Sequence, residues 1–337
     1  MNKKSKIILA IGILIVLIIV IICIAFAIRK SSKTNEQTSE ENDTTPPIII
    51  LGDTYTVKTG YEKNLVDVIV SADDMDPDPK KEIIGSYDLN TEGEYPLTFK
   101  VEDSSGNITT KDFILKVKNE VSSTYKEEEL SFEDAKLRYK TDDTKLGIDV
   151  SKWQGDIEWQ KVKASGIEFA ILRMGYQNGF DGEVLIDPYF ESNIKGCIEN
   201  DIPIAVYFSS YSKTSEESKA QAEWICQKLK EYNYSNISIS YDWENWTSFN
   251  KLKMSLNNLN SMADTFMDEC VSQGYKSMLY GSKTYLESFW KNSKNYPVWL
   301  ANYVQKTTYE NQYKIWQCSQ KGTISGINGY VDINVMY

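Results

Sequence analysis

Between residues 146 and 335 the chain repeats one unit, a short apolar run followed by a longer segment of helical spacing. The runs are residues 146–151, 169–175, 202–209, 237–244, 277–281, 298–303, 314–318 and 331–335. Short, nearly continuous apolar strands separated by helical crossovers are the pattern of a parallel sheet covered on its faces. The helical signals are local. Ala222, Ile225, Cys226 and Leu229 share one face, as do Leu256, Leu259, Ala263, Phe266, Met267 and Cys270. Asp187-Pro188 reads as an N-cap followed by proline at the first helical position, and Gly166 and Gly274 stand where helices should stop. The pattern predicts an α/β fold over residues 145–337, an irregular (β/α)8 TIM-like barrel whose last crossovers are too short for full helices.

In such a barrel, functional groups gather at the C-terminal ends of the strands. Four carboxylates fall there. Asp149 lies near the end of the first strand, and Asp242 and Glu244 end the fourth. Asp332 lies on the eighth, which neighbours the first once the barrel closes. Residues i and i+2 of a strand share a face, so Asp242 and Glu244 project side by side. Acids at inward, apolar-flanked positions destabilise a fold unless paired or used, which favours a functional reading of the group. Asp332, close to the C-terminus, is the one most open to a purely structural role.

The sequence contains no histidine. A Ser-His-Asp triad, a Cys-His pair and a His-ligated zinc are therefore excluded. Acid–base chemistry falls to carboxylates, and carboxylate pairs are the usual means of cleaving glycosidic bonds. A net charge of −11 argues against a nucleic-acid partner. The 22 tyrosines and 8 tryptophans offer flat faces for sugar rings, although most of them serve the core. Cys197, Cys226 and Cys270 fall on apolar helix faces. With Cys318, and with no C-x-x-C spacing, they read as buried thiols rather than metal ligands. Neither cofactor nor metal is expected.

The N-terminal third has a different texture. Residues 1–6 form a basic tail, expected to be cytoplasmic. Residues 7–28 are apolar and uncharged, long enough to span a hydrocarbon core of about 30 Å. They predict a single-pass anchor with the rest of the chain outside the cell. Cleavage after Ala25-Phe26-Ala27, giving a secreted protein, is the alternative. Residues 29–46 read as a linker, and 119–144 as a charged, partly helical connector. Between them, residues 47–118 predict a small antiparallel β-sandwich with strands at 48–51, 55–57, 65–70, 95–101 and 113–117. The acidic group Asp73, Asp74, Asp76 and Asp78 fails as an EF-hand, since Pro79 and Gly85 occupy the glycine and glutamate positions, and reads as a solvated loop.

Several motifs carry resemblances. The opening Pro46-Pro47 and the turn Asp103-Ser104-Ser105-Gly106-Asn107 resemble immunoglobulin-like modules of bacterial surface proteins. Asp149-Val150-Ser151-Lys152-Trp153-Gln154-Gly155 resembles the D-V-S-x-x-Q-G opening of glycoside hydrolase family 25, the Chalaropsis-type lysozymes. Asp242-Trp243-Glu244 matches that family's D-x-E, and Trp299-Leu300-Ala301-Asn302-Tyr303 its W-x-A-x-Y. Trp316-Gln317 and Gly329-Tyr330-Val331-Asp332-Ile333-Asn334 match its last strands. One departure is visible: Tyr207-Phe208-Ser209 stands where the family usually has Tyr-His-Phe, which puts fine substrate positioning in question.

The resemblance implies hydrolysis of the β-1,4 bond between N-acetylmuramic acid and N-acetylglucosamine in peptidoglycan. It implies Glu244 as general acid and base. Asp242 would remain ionised, supporting the transition state or the substrate's acetamido group. Asp149 and Asp332 would orient the pair or bind sugar, and Tyr207, Trp299 and Tyr303 would wall the groove. Two rivals stand beside this reading. A chitinase-like barrel usually carries D-x-x-D-x-D-x-E, but Ser238-Ile239-Ser240-Tyr241 precedes Asp242 here without the extra acids. A non-catalytic wall-glycan-binding protein would have no need of the acid pair.

Overall fold

The computed structural model describes residues 43–121 and 127–337. The expected basic tail at 1–6, the anchor at 7–28 and most of the linker at 29–46 lie outside the described residues, as does Cys23. Among the described residues, no helix is long and apolar enough to cross a membrane.

Residues 45–337 form one compact unit. Its first part is β-rich. Strand β1 (Ile48–Ile50) is followed by β2 (Thr54–Lys58), helix α1 (Leu65–Val68), β3 (Val70–Ala72), β4 (Lys80–Ile84), β5 (Gly93–Glu102) and β6 (Ile108–Lys118). β1 pairs antiparallel with β3, and the other four form a sheet in the order β2-β6-β5-β4. Alternation along β5 buries Leu97, Phe99 and Val101 against Phe113, Leu115 and Val117 of β6. The β5–β6 turn is closed by Asp103, whose Oδ1 accepts from the Ser105 and Asn107 amides at 2.9 and 2.8 Å.

Three expectations for this segment need correction. The sheet is not wholly antiparallel, because β2 runs parallel to β6. Residues 65–68 are helical despite their β-branched valines, because the Asn64 side chain caps the turn by accepting from the Val66 amide. β4 carries Lys-Lys-Glu at a sheet edge, and those charges hid its strand character.

The second part begins with β7 (Leu130–Ser131) and α2 (Phe132–Tyr139). β8 (Lys145–Val150), α3 (Trp159–Ala164), β9 (Phe169–Gln177), β10 (Val184–Ile186), α4 (Phe190–Glu199), β11 (Ile204–Ser209), α5 (Ser215–Glu231) and β12 (Ser238–Asp242) follow. The chain ends with α6 (Phe249–Leu252), α7 (Leu256–Ser272), β13 (Lys276–Ser282), α8 (Lys283–Ser288), β14 (Val298–Ala301), β15 (Ile315–Thr323) and β16 (Val331–Met336). Eight of these strands close a barrel in the order β8-β9-β11-β12-β13-β14-β15-β16, with β8 pairing β9 again. They are the eight apolar runs of the sequence. The barrel departs from (β/α)8 at its end: β16 is antiparallel to both β15 and β8, and no helix follows β14 or β15.

Period-2 alternation sorts each strand between two cores. Inside the barrel, Phe169, Ile171, Met278, Tyr280, Trp299, Ala301 and Ile315 pack together. Outside it, residues such as Leu172, Val206, Phe208 and Tyr241 meet the helices. The helical faces around Ala222–Leu229 and Leu256–Cys270 are buried as expected, with Gly166 and Gly274 both at φ +91° past their helices. Cys197, Cys226, Cys270 and Cys318 are free and buried.

Candidate active site

The barrel mouth is built at the seam between β16 and β8. Asp332 and Asp149 face each other there as register partners. Because β16 is antiparallel, Asp332 reaches the rim from the start of its strand rather than its end. Asp149 is buried and held by two amides: its Oδ1 accepts from Gln317 Nε2 at 2.8 Å and from Asn334 Nδ2 at 2.7 Å. Asp332 also hydrogen-bonds Asp149. Burial, then the Asp149 charge, pushes Asp332 up to about 9, while burial raises Asp149 to about 6 against the pull of its donors. At neutral pH the proton of this couple therefore sits on Asp332 and is donated to Asp149. The connector's Glu127 lies close enough to add to the repulsion on Asp332, and accepts from Ser319 Oγ and the Gln320 amide at 3.1 and 2.9 Å.

Asp242 is the last residue of β12, and Glu244 follows two positions on, beyond the strand. Alternation persists past the strand end. Tyr241 and Trp243 point into the helix-facing core, each fully buried, leaving Asp242 and Glu244 on the mouth side. The loop after β11 clamps this turn. Asp242 O accepts from the Ser210 amide at 2.7 Å, Ser210 O from Asn245 Nδ2 at 3.0 Å, and Ser212 O from Trp243 Nε1 at 3.0 Å.

The two carboxyls differ in setting. Asp242 is only 8% exposed, and its Oδ1 is buried with no hydrogen-bond partner among the described residues. Glu244 is exposed to solvent, while protein atoms packed around its carboxyl disfavour its charged form. Burial, then the Asp149 charge, pushes Glu244 up to about 7. Burial and Glu244 push Asp242 well above the usual carboxylate range, and Arg173 pulls it back down. The ionised form expected of Asp242 is therefore opposed by burial and by Glu244 and favoured by Arg173. Its burial opposes the charge until a positive group arrives.

Arg173 was not singled out from sequence. On β9 it is the register partner of Tyr207, and its Nε donates to Asp187 Oδ2 at 2.7 Å. Its Nη2 lies 2.6 Å from the same oxygen but off the hydrogen-bonding direction, so that nitrogen has no hydrogen-bond partner among the described residues. Asp187 is consequently not the expected N-cap. Its other oxygen accepts from the Tyr189 amide, and α4 starts at Phe190 with Tyr189 as its cap residue.

The predicted aromatic walls separate into two kinds. Tyr207 and Tyr303 are half-buried on the inner side of the barrel. Trp299 is 1% exposed and cannot wall a groove. It packs edge-on to Tyr207 with centroids 5.8 Å apart, and its Nε1 donates to Asn334 Oδ1 at 2.8 Å. A relay results, from Trp299 through Asn334 to Asp149. Gln317 adds a second, accepting from the Tyr280 and Tyr303 hydroxyls at 3.0 Å each while donating to Asp149. Sequence reasoning quoted Gln317 and Asn334 within motifs but gave them no role. Their signal was amide side chains on strands otherwise apolar at inward positions. Phe208, the departure from the family pattern, is fully buried against Trp224 and Phe266, facing away from the mouth.

Trp153 was also passed over. It is 77% exposed in the short 3-10 turn (Lys152–Gln154) that follows β8. The Lys152 ammonium lies 5.0 Å from both the Trp153 and Tyr176 ring centroids. An exposed indole beside a cation, in the turn that follows the strand carrying Asp149, is a surface suited to a sugar face.

Comparison with known proteins agrees with this geometry. The family model for glycosyl hydrolases family 25 matches residues 148–327. An uncharacterized protein of Escherichia coli K12, YegX, is 30% identical over 193 residues, covering 56% of this chain and 68% of that protein. An autolytic lysozyme of Clostridium acetobutylicum is 23% identical over 190 residues, covering 56% of this chain and 54% of that one. Among solved structures, the modular autolysin LytC of Streptococcus pneumoniae is 25% identical with a TM-score of 0.53, covering 71% of this chain. The chain spans only 56% of that autolysin's length.

Proposed function

The chain belongs to glycosyl hydrolase family 25, and from that premise we propose that it cleaves the β-1,4 bond between N-acetylmuramic acid and N-acetylglucosamine in peptidoglycan. The observation that carries this reading is the contrast within the D-x-E pair: Glu244 solvent-reachable and raised to about 7, Asp242 buried with an orphan oxygen. Glu244 keeps its proton below about pH 7 and donates it to the leaving oxygen. It then takes a proton from the incoming water. A buried acceptor without a partner is rare in a folded protein and marks a place for a ligand donor. The acetamido N–H of the substrate satisfies Asp242 Oδ1, and the Asp242 carboxylate, whose charged form Arg173 favours, stabilises the positive charge developing at the sugar. Asp149 and Asp332 act behind the pair, with Asp149 charge holding Glu244 protonated.

Tyr207, Tyr303 and Trp153 line the sugar path in this reading, and no cofactor is needed. The β-rich segment is read as an immunoglobulin-like module and residues 7–28 as a membrane anchor. Together they hold the barrel outside the cell at the inner face of the wall. Protease shaving of intact cells checks this placement; a catalytic domain protected inside the cell refutes it.

The deciding experiment for the activity incubates the protein with purified Gram-positive cell walls beside Glu244→Gln. Release of reducing N-acetylmuramic ends by the parent alone supports the reading. Reducing N-acetylglucosamine ends would make it a glucosaminidase. Binding without release by either would leave the wall-glycan-binding alternative.

A further inference from the structure

The β-rich segment is joined to the barrel by more than a connector. β1 is two-faced: Ile49 packs into the segment's own core, whereas Ile48 and Ile50 pack against the barrel's outer core, together with Val70 and the buried Ala72 of β3. The ribbon β1–β3 is thus a layer shared by both cores. What it meets on the barrel is the stretch that follows Glu244.

Asn250 of α6 is the central contact. Its Nδ2 donates to Ile69 O at 2.8 Å and Asp67 O at 3.3 Å, and its Oδ1 accepts from the Ser71 amide at 3.4 Å. The first amides of α7, which have no partner within the helix, are satisfied across the same boundary. Leu256 N donates to Asp73 O at 2.8 Å and Asn257 N to Asp74 O at 3.1 Å. Lys253 pairs with Asp78 at 2.7 Å, and Lys291 with Asp74 at 3.4 Å. The acidic loop that the sequence presented as solvated is therefore a docking loop.

From this boundary a packed path leads to the catalytic acid. Phe249 lies beside Asn250 and contacts Trp243 and Trp246, at centroid distances of 6.0 and 6.1 Å. Trp246 stacks on Tyr285 at 3.7 Å, and its amide donates to Glu244 O at 2.9 Å. Trp243 sits between Asp242 and Glu244 in the chain and is fully buried in this cluster.

We propose that the β-rich segment is a positioning element of the active site: its docking on Asn250 and the start of α7 holds residues 243–257 in place and thereby sets where Glu244 stands. The inference rests on the glycosidase reading for its kinetic consequence, not for its structural one. It turns a spacer into a part of the catalytic unit, so that force or binding that loosens the docking lowers turnover.

The test uses the full chain on purified cell walls, as wild type, Asn250→Ala, Lys253→Glu and the swap Lys253→Glu/Asp78→Lys. Asn250→Ala is expected to lower kcat about tenfold with KM within about twofold of wild type, because the acid is misplaced while the sugar surfaces remain. The alkaline limb of its pH profile moves to lower pH as the groups packed around the Glu244 carboxyl loosen. Lys253→Glu moves kcat in the same direction, and the swap restores it. Wild-type kcat and pH limb in Asn250→Ala overturn the proposal. Should that variant fail to fold, equal kcat in Lys253→Glu and its swap overturns it instead. Hydrogen exchange at residues 243–250 gives an arm independent of activity: faster exchange in the variants supports the docking role and unchanged exchange refutes it. A wild type that releases no reducing ends refutes only the glycosidase reading.

Discussion

Asp332 donates a hydrogen bond to Asp149 across the seam where β16 meets β8. The couple has a consequence for stability. The folded Asp332 carboxyl is raised to about 9, far above its unfolded value, so between those values the folded state holds a proton that the unfolded state has released. Stability from this group is fully present in acid and is lost as pH rises toward 9. Asp332→Asn keeps a donor toward Asp149 and removes the titration. Its melting temperature is expected to exceed that of wild type at pH 8, with the gap closing near pH 4. Equal melting curves at both pH values would show that Asp332 is not held neutral.

Glu244 sets the pH dependence of turnover. With its carboxyl raised to about 7, kcat/KM is expected to fall about tenfold per unit above that value, and to decline in acid as Asp149, raised to about 6, loses its charge. Glu244→Gln should lower kcat by about 10²–10⁴-fold at pH 6 with little change in wall binding. A profile that stays flat to pH 9 would remove Glu244 from the acid role.

How far the sequence carried depended on which physical signal each feature leaves. The barrel strands were legible because each is a continuous apolar run, and the four acids because they interrupt such runs. The direction of β16 was not legible, since an apolar pattern reads the same in either direction. Trp299 and Tyr303 both lie at a strand end. What separates them is indole burial under Asn334 and half-exposure of the phenol, a difference of packing rather than of spacing. Asn250 left no local signal, because its partners are some 180 positions away. The acidic loop misled for the same reason: its charges meet Lys253 and Lys291, and its carbonyls meet a helix start, all distant in sequence.

Trp299 therefore serves as a discriminating residue. Were it a groove wall, Trp299→Phe would chiefly raise KM. Buried and bonded to Asn334, it acts through Asp149, so Trp299→Phe should lower kcat about tenfold and leave KM within about twofold. Steady-state kinetics on soluble glycan fragments separate the two outcomes.

Trp153 predicts the reverse split. Being 77% exposed, it contributes little to the fold, and Trp153→Ala should leave the melting temperature unchanged. KM should rise about tenfold, equivalent to about 1.4 kcal/mol of lost binding, with kcat preserved. A variant with wild-type KM would show that the sugar path avoids this side of the mouth.

Asp242→Asn tests whether the orphan oxygen is placed for substrate at the expense of the fold. Asparagine keeps the shape and an acceptor at Oδ1 but cannot take up charge. The buried carboxyl is already pushed toward its neutral form by burial and by Glu244, so the fold gains from losing it. The melting temperature of the variant should equal or exceed that of wild type at neutral pH. Turnover should fall about 10²–10³-fold, the scale of losing one preorganised charge or donor at a transition state. Opposite movement of stability and activity in one isosteric substitution is the signature of a residue held for chemistry, and thermal melts beside cell-wall assays measure both. Parallel loss of the two would instead make Asp242 a structural partner of the Ser209–Ser210 turn.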